Sequence, residues 1–257
     1  MIFNFTKALV RAPGRSVVNG LSSQTGPRPS FETIAAEHAR YVEALKASGL
    51  SVEILPPLED YPDSIFVEDP ALVFTGAAIL LRPGAPSRQG EVKDIEGALR
   101  KRFARVLAIE EGFADGGDML LTPAGMFIGL SSRTDQTGAR QLAGLLRQLG
   151  IDSRVVKTPL GTLHLKSDCS LIADDHVLCT EALATADIFH SYRKLVVPDS
   201  ERAAANALRL NDTILVGDRF PQTIRLLEEE GYKVEPVPNE GVGRIDAGLS
   251  CMSLRWE

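Results

Sequence analysis

Short apolar runs recur in pairs along the chain, each pair split by a turn. Ala71–Phe74 breaks at Gly76 and resumes in Ala77–Leu81, and Met119–Leu121 breaks at Pro123–Gly125 and resumes in Met126–Leu130. Leu171–Ala173 stops at Asp174-Asp175 before Val177–Cys179, and Ala207–Leu210 stops at Asn211-Asp212 before Ile214–Val216. Runs this short, bounded by turn formers, predict buried strands joined as hairpins. Between the pairs the apolar period lengthens. Phe31, Ile34, Ala35, His38, Tyr41, Val42 and Leu45 share one face of a helix predicted over Phe31–Ser48. Thr134–Leu149 repeats that spacing and meets a stop at Gly150, Gln222–Glu230 follows Pro221 and ends at Gly231, and Glu91–Phe103 is a weaker case. The units start at intervals of roughly 35 to 50 residues, which predicts one α/β domain over 1–257 with an internal repeat. Asn19–Ser30, rich in Gly, Pro and Ser/Thr, reads as a surface connection or a lid over whatever lies beneath it.

Composition narrows the partners. A formal net charge of −6 argues against nucleic acid and anionic membrane surfaces and tolerates a small cationic ligand. No apolar run approaches the ~20 residues that span a bilayer, and the first residues lack a signal-peptide pattern. Three cysteines, 169, 179 and 251, suggest no disulfide framework. The expectation is a soluble cytoplasmic protein.

Three segments carry candidate chemistry. In Tyr61-Pro62-Asp63-Ser64-Ile65-Phe66-Val67-Glu68-Asp69-Pro70 three carboxylates interrupt an apolar run. They are either solvated turn residues or a pocket for a guanidinium or ammonium. Ala114-Asp115-Gly116-Gly117-Asp118 is either a bare hairpin turn or a close backbone approach flanked by aspartates, its glycines allowing proximity or positive φ. His164, between Leu163 and Leu165 at the head of a predicted strand, is either a satisfied core residue or a catalyst. Cys251 lies in Leu249–Leu254, which reads as the last strand. Metal-ligand spacings such as CxxC, HxxxH and HExxH are missing from the sequence, as are a GxGxxG, a P-loop and a GxSxG elbow, so neither metal nor cofactor is expected. A Cys–His pair assisted by carboxylates remains.

Taken together, these segments resemble the dimethylarginine dimethylaminohydrolase family of the guanidino-group-modifying, or pentein, superfamily. The likeness runs from Val10-Arg11-Ala12-Pro13 and Asn19-Gly20-Leu21 through Gly84–Arg88, Asp115–Asp118, Ser132-Arg133-Thr134, Leu163–Lys166, Ala204-Ala205-Asn206 and Ile245-Asp246 to Ser250–Ser253. It implies a five-bladed α/β propeller of ββαβ-type modules around a central channel. It also implies hydrolysis of Nω-methylated L-arginine to L-citrulline and methylamine or dimethylamine through a covalent Cys thiouronium intermediate.

In that scheme Cys251 is the nucleophile, His164 the general acid and then base, and Asp115 the group that holds His164 and binds the guanidinium. Glu68 and Asp69 complete the acidic pocket, Arg88 and Arg133 pair the α-carboxylate, and Asp63 with the backbone carbonyls of Leu21 and Ile245 receives the α-amino group. Asp115 stands where bacterial members closest in pattern carry Glu, a point bearing on alkyl preference. The partner implied is a small-molecule substrate. Related enzymes occur as monomers and as dimers, so a homodimer stays open. Carboxylates beside a thiol raise its pKa, and a bound guanidinium reverses that, so this setting suits a cationic substrate. The alternatives are a deiminase-type hydrolase of unmethylated arginine or another alkylguanidine, and a catalytically silent arginine-binding protein.

Overall fold

The hairpin pairs form where the apolar runs place them, and each gains a third strand that the pattern does not announce. The structure, a computed structural model, describes residues 2–257. Its elements begin with β1 (Lys7–Arg11), α1 (Phe31–Ala47) and β2 (Ser51–Leu55). A complete module follows in β3 (Ala71–Phe74), β4 (Ala77–Leu80), α2 (Glu91–Arg100) and β5 (Arg105–Ala108). The next is β6 (Met119–Thr122), β7 (Gly125–Leu130), α3 (Gln136–Gln148) and β8 (Ser153–Lys157). It is succeeded by β9 (Cys169–Leu171), β10 (His176–Cys179), α4 (Glu181–Thr185) and β11 (Arg193–Val196). The series ends with β12 (Leu208–Leu210), β13 (Thr213–Gly217), α5 (Pro221–Glu229), β14 (Lys233–Val237), a short α6 (Glu240–Gly243) and β15 (Leu254–Trp256).

Five three-stranded sheets result, each mixing one antiparallel and one parallel pairing. In four of them the chain makes an antiparallel hairpin, crosses through a helix and returns parallel to the middle strand. The fifth draws on both ends of the sequence. β15 runs antiparallel to β1, with Lys7 opposite Trp256 and Leu9 opposite Leu254, while β2 lies parallel on the other side of β1. This is the five-bladed α/β propeller, with a module assembled from distant segments.

Middle strands such as β4 and β13 are buried along their length, whereas the third strands β2, β8 and β14 are largely exposed. Helix ends follow local chemistry. Ser30 Oγ accepts the Thr33 N–H at 3.0 Å, and Asp135 Oδ1 accepts those of Thr137 and Gly138, caps worth about 1 kcal/mol each. Under α1, Ile34, Tyr41 and Leu45 are fully buried and each stabilises the module by roughly 1.5–3 kcal/mol. Separate apolar clusters sit beneath the helices. Leu9, Leu254 and Trp256 join the cluster of the second module, where Trp256 meets Phe103 edge-on at 5.2 Å.

One element differs from the pattern. Leu249–Met252 is a 3-10 turn, so Cys251 precedes the final strand. Its backbone finds partners outside any ladder: Ser250 N–H donates to Asn206 Oδ1, and the Cys251 carbonyl accepts the Glu68 N–H. Burial of Leu249 and Met252, three apart, fits a turn as well as a strand.

Candidate active site

Cys251 and His164 share the walls of two adjoining cavities, of about 260 and 220 Å³. The larger is lined by Leu21, Asp63, Asp69, Arg88, Arg133 and Ile245, and Phe66, Leu163 and Asp246 fill in between them. Eight of the ten expected site residues therefore border one space. Asp115 is fully buried beneath it, and Glu68 is elsewhere.

The acidic floor is built by backbone proximity. Asp69 Oδ1 accepts the Gly117 N–H at 3.1 Å, the Asp69 carbonyl accepts that of Gly116, and Asp69 Oδ2 is ion-paired with Arg88. A Cβ on Gly116 would lie 1.9 Å from the Glu68 carbonyl oxygen, and one on Gly117 would lie 2.7 Å from the His164 ring. Neither glycine has positive φ, so close approach alone requires them. Asp115 Oδ1 accepts the Gly84 N–H at 2.7 Å, and its Oδ2 lies 3.2 Å from His164 Nε2. Donor atoms of Asp69, Asp115 and His164 fall within 4.8 Å of one another, a spacing that could hold a metal ion. These residues are 69, 115 and 164 in sequence, which is why no metal-like spacing is legible there. Each carries a second bond to Arg88, a glycine N–H or the neighbouring ring, and a planar cation with N–H donors suits the remaining lone pairs.

Charge states follow from these contacts. Burial opposes a charge on His164, but the bond to Asp115 and the charges of Asp69 and Asp118 outweigh it and raise the imidazole pKa. Asp69 is buried as well, yet Arg88 and His164 hold it below the usual carboxylate range. The Cys251 thiol is pushed up to about 12, first by burial and then by Glu68 and Asp69, against the Gly248 N–H and Lys166 that favour thiolate. At rest the site holds a neutral thiol beside an imidazole whose protonated form the neighbouring carboxylates favour.

Two expectations need correction. Glu68 does not line the cavity of Asp69. Its carboxylate is 2.5 Å from Lys166 Nζ and 3.3 Å from Arg255, and it accepts the Ser250 hydroxyl. These groups border a further cavity of about 170 Å³ on the opposite side, walled by Phe3, Leu72, Phe74 and Leu121. The two acids sit in the turn before β3, where the Asp69 N–H bonds the Phe66 carbonyl, and their side chains leave it toward different cavities. Arg88 reaches the cavity, but its guanidinium is committed: it donates to both Glu91 oxygens, to Asp69, and to the carbonyls of Asp63 and Phe66. Little of its five-donor fork remains for a ligand carboxylate, whereas Arg133, also on the cavity wall, is half-buried.

At the far end Asp63 Oδ1 accepts the Leu21 N–H at 2.9 Å, and the carbonyls of Leu21 and Ile245 accept no bond from the described residues. The loop holding Leu21 lies over the cavity. Ser22 Oγ donates to the Arg244 carbonyl, Gln24 Nε2 to that of Gly243, the Ser23 N–H to Asp246, and Arg28 ties the loop back to the Gly20 carbonyl.

Several residues were quoted in motifs without a role. Asp118, fully buried, accepts from Ser131 Oγ, Thr134 Oγ1 and the Leu165 N–H, joining the loop of Arg133 to the segment of His164. Asn206 donates to the Lys166 carbonyl and accepts from Ser250 N–H, joining His164's segment to the turn of Cys251. Glu91 holds Arg88 from helix α2. A polar residue deep in apolar surroundings was the available signal for Asp118, and the Ala204-Ala205-Asn206 stretch of the resemblance marked Asn206; for Glu91 the sequence carries none.

Comparison with known proteins agrees with this geometry. Residues 28–204 match the family model for N,N dimethylarginine dimethylhydrolase, eukaryotic. The N(G),N(G)-dimethylarginine dimethylaminohydrolase of Pseudomonas aeruginosa is 34% identical over 98% of this chain and 100% of its own. The solved structure of that organism's enzyme, a cysteine-to-serine mutant complexed with citrulline, superposes with a TM-score of 0.95 at 33% identity, over 98% of this chain and 100% of its own. A histidine-to-glycine mutant of a dimethylarginine dimethylaminohydrolase, in adduct with S-methyl-L-thiocitrulline, gives 0.94 at 33% identity over 98% and 99% of the two chains. With the modules, the thiol, the imidazole and the carboxylates in one cavity and these relatives matched end to end, the chain belongs to the dimethylarginine dimethylaminohydrolase family.

Proposed function

We propose that this chain, acting as one catalytic domain over residues 1–257, hydrolyses Nω-methylated L-arginine to L-citrulline and the methylated amine. The observation that carries the reading is the shared cavity: the Cys251 thiol, the His164 imidazole bonded to Asp115, and the Asp69 carboxylate meet at one space that has Arg133 on its wall. A guanidinium is the cation that completes such a site, with Asp69 accepting its N–H groups while Asp115, buried beneath the cavity, holds His164 and does not reach the ligand. The guanidinium charge lowers the Cys251 pKa, the thiol proton passes to solvent, and Sγ adds to the guanidinium carbon. His164, kept protonated by Asp115 and Asp69, gives its proton to the substituted nitrogen as the C–N bond breaks and the amine departs. The imidazole then takes a proton from water as the water oxygen adds to the thiouronium carbon. Collapse breaks the C–S bond, the hydroxyl proton passes to Sγ to restore the thiol, and the ureido carbonyl of citrulline is left. Arg133 pairs the α-carboxylate, and Asp63 with the carbonyls of Leu21 and Ile245 takes the α-amino group. A reducing compartment such as the cytoplasm suits a working thiol, and among the described residues no helix is long and apolar enough to cross a membrane.

The test is citrulline release from mono- and dimethylarginine by purified protein and by Cys251→Ser. The expected result is turnover by the wild type and loss of at least a thousandfold in the variant. Turnover of arginine without turnover of either methylarginine would move the reading to a deiminase; tight binding by both proteins with no amine released would reduce it to a binding protein.

A further inference from the structure

The smaller cavity of about 220 Å³ has no role in holding the amino-acid end of a substrate, because Arg133, Leu21, Asp63 and Ile245 all border the larger one. Cys251 and His164 belong to both, so they stand at the junction. A substrate anchored at Arg133 reaches Cys251 with its guanidinium carbon. The nitrogen that His164 protonates, with its substituent, then lies at the entrance to the second chamber. We propose that this chamber is the subsite for the Nω substituent and that it accepts substituents larger than methyl when they carry a hydrogen-bonding group. The inference rests on the hydrolase reading above and adds a substrate class to it.

Size and polarity both lead there. At roughly 30 Å³ for each water-sized group, the chamber exceeds what a dimethylamino group fills. Its walls are polar: Thr162, Asp168, Arg202, Asn206, Arg219 and Asp246 face it. Some of these groups are mutually satisfied, as Asp168 accepts from Thr162 Oγ1 at 2.5 Å and pairs with Arg202 at 3.2 Å. Arg219 has no carboxylate within salt-bridge distance among the described residues. A purely alkyl chain there would displace water from polar walls and return no hydrogen bond, whereas a hydroxyl restores one. The reaction remains balanced as before: substituted arginine and water give citrulline and the corresponding amine.

The experiment compares Nω-methyl-, Nω-propyl- and Nω-(2-hydroxyethyl)-L-arginine as substrates of the full chain, with citrulline as the readout. The hydroxyethyl compound should show a kcat/KM within tenfold of the methyl compound and above that of the propyl compound. Ala203→Phe, at an exposed position on the chamber wall, should lower kcat/KM for the hydroxyethyl substrate at least tenfold and leave the methyl substrate within twofold. Turnover of methylarginine with the hydroxyethyl compound a thousandfold slower would overturn the subsite, as would an equal loss for both substrates in Ala203→Phe. Should that variant not fold, the wild-type series decides by itself. An absence of citrulline from every compound would instead overturn the hydrolase reading beneath it.

Discussion

Replacing Glu68 by Gln tests whether the far side of the channel sets the protonation of the nucleophile. Glu68 faces away from the substrate cavity, yet its charge stands next after burial among the causes that push the Cys251 thiol up to about 12. Gln keeps the shape and can still accept the Ser250 hydroxyl, but it removes one of the two nearby negative charges. It also leaves Lys166, 2.5 Å away, without its ion pair, and that cation favours thiolate. A close charge moves a pKa by about 1–3 units, so the thiol should titrate lower by that amount. Each unit multiplies the thiolate fraction tenfold at a pH below both values, while nucleophilicity falls with a Brønsted slope of about 0.4–0.5. The net gain in alkylation rate is then about 3- to 60-fold. Thiolate ultraviolet absorbance against pH gives the first quantity, and iodoacetamide labelling of Cys251 followed by mass gives the second.

Lys166→Met should move both readings the other way. The double variant should return toward wild type, since the two groups act as one pair. An unchanged thiol titration in both single variants would sink the idea that this pair is felt at Cys251. Glu68→Gln should also lower the unfolding free energy, by less than the about 3–5 kcal/mol that breaking a buried ion pair costs, because Gln keeps the hydrogen bond to Ser250.

Other consequences can be measured directly. Gly117→Ala places a Cβ 2.7 Å from the His164 ring and should cost about a hundredfold in kcat with a modest change in Tm, a displacement near 1 Å being enough; Gly116→Ala, 1.9 Å from a backbone oxygen, should instead fail mainly in stability. Asn206→Ala removes two buried hydrogen bonds and should destabilise by about 2–3 kcal/mol in urea unfolding, with kcat falling more than KM rises. His38 is buried with its pKa lowered to about 4, so the unfolded chain binds a proton from about pH 6.5 downward and the native state does not until about 4. Stability should therefore fall by roughly 3 kcal/mol over that window, and His38→Met should flatten this limb; an equal slope in both proteins would assign it to other groups. In the activity profile, kcat should decline as pH rises through the elevated His164 value, since the neutral imidazole has no proton for the departing amine.

The hairpins were legible because their strands are buried on both faces and so read as continuous apolar runs. The third strand of each module was not: Ser51–Leu55, Ser153–Lys157 and Lys233–Val237 are mostly exposed, and the alternation in Ser51-Val52-Glu53-Ile54 and Lys233-Val234-Glu235 is too short to stand out beside the continuous apolar runs. The closing module was invisible for another reason. Its strands β1 and β15 stand at opposite ends of the sequence, and no local pattern pairs Leu9 with Leu254. At the site, residue types pointed to the chemistry, and the family resemblance proposed their roles. Direction did not follow from type. Glu68 and Asp69 look alike in sequence, but only Asp69 faces the substrate cavity, and the commitment of Arg88 to Glu91 depends on a helix turn that brings residues three apart together.

The pairing of β15 with β1 makes maturation of this protein an all-or-nothing event. Cys251 stands three residues before the strand that shuts the ring, and His164, Asp115 and Asp69 come from modules completed earlier in the chain. A partly synthesised chain can fold several blades and still hold no nucleophile. The reactive centre therefore appears only when the architecture is whole, so a truncated or frayed copy is inert toward metabolites and leaves only an unactivated thiol. The same geometry makes the seam movable: with Lys7 opposite Trp256, a short linker across that pair would permit new termini at the exposed loop of Leu160, and activity in such a permutant would report closure of the ring directly.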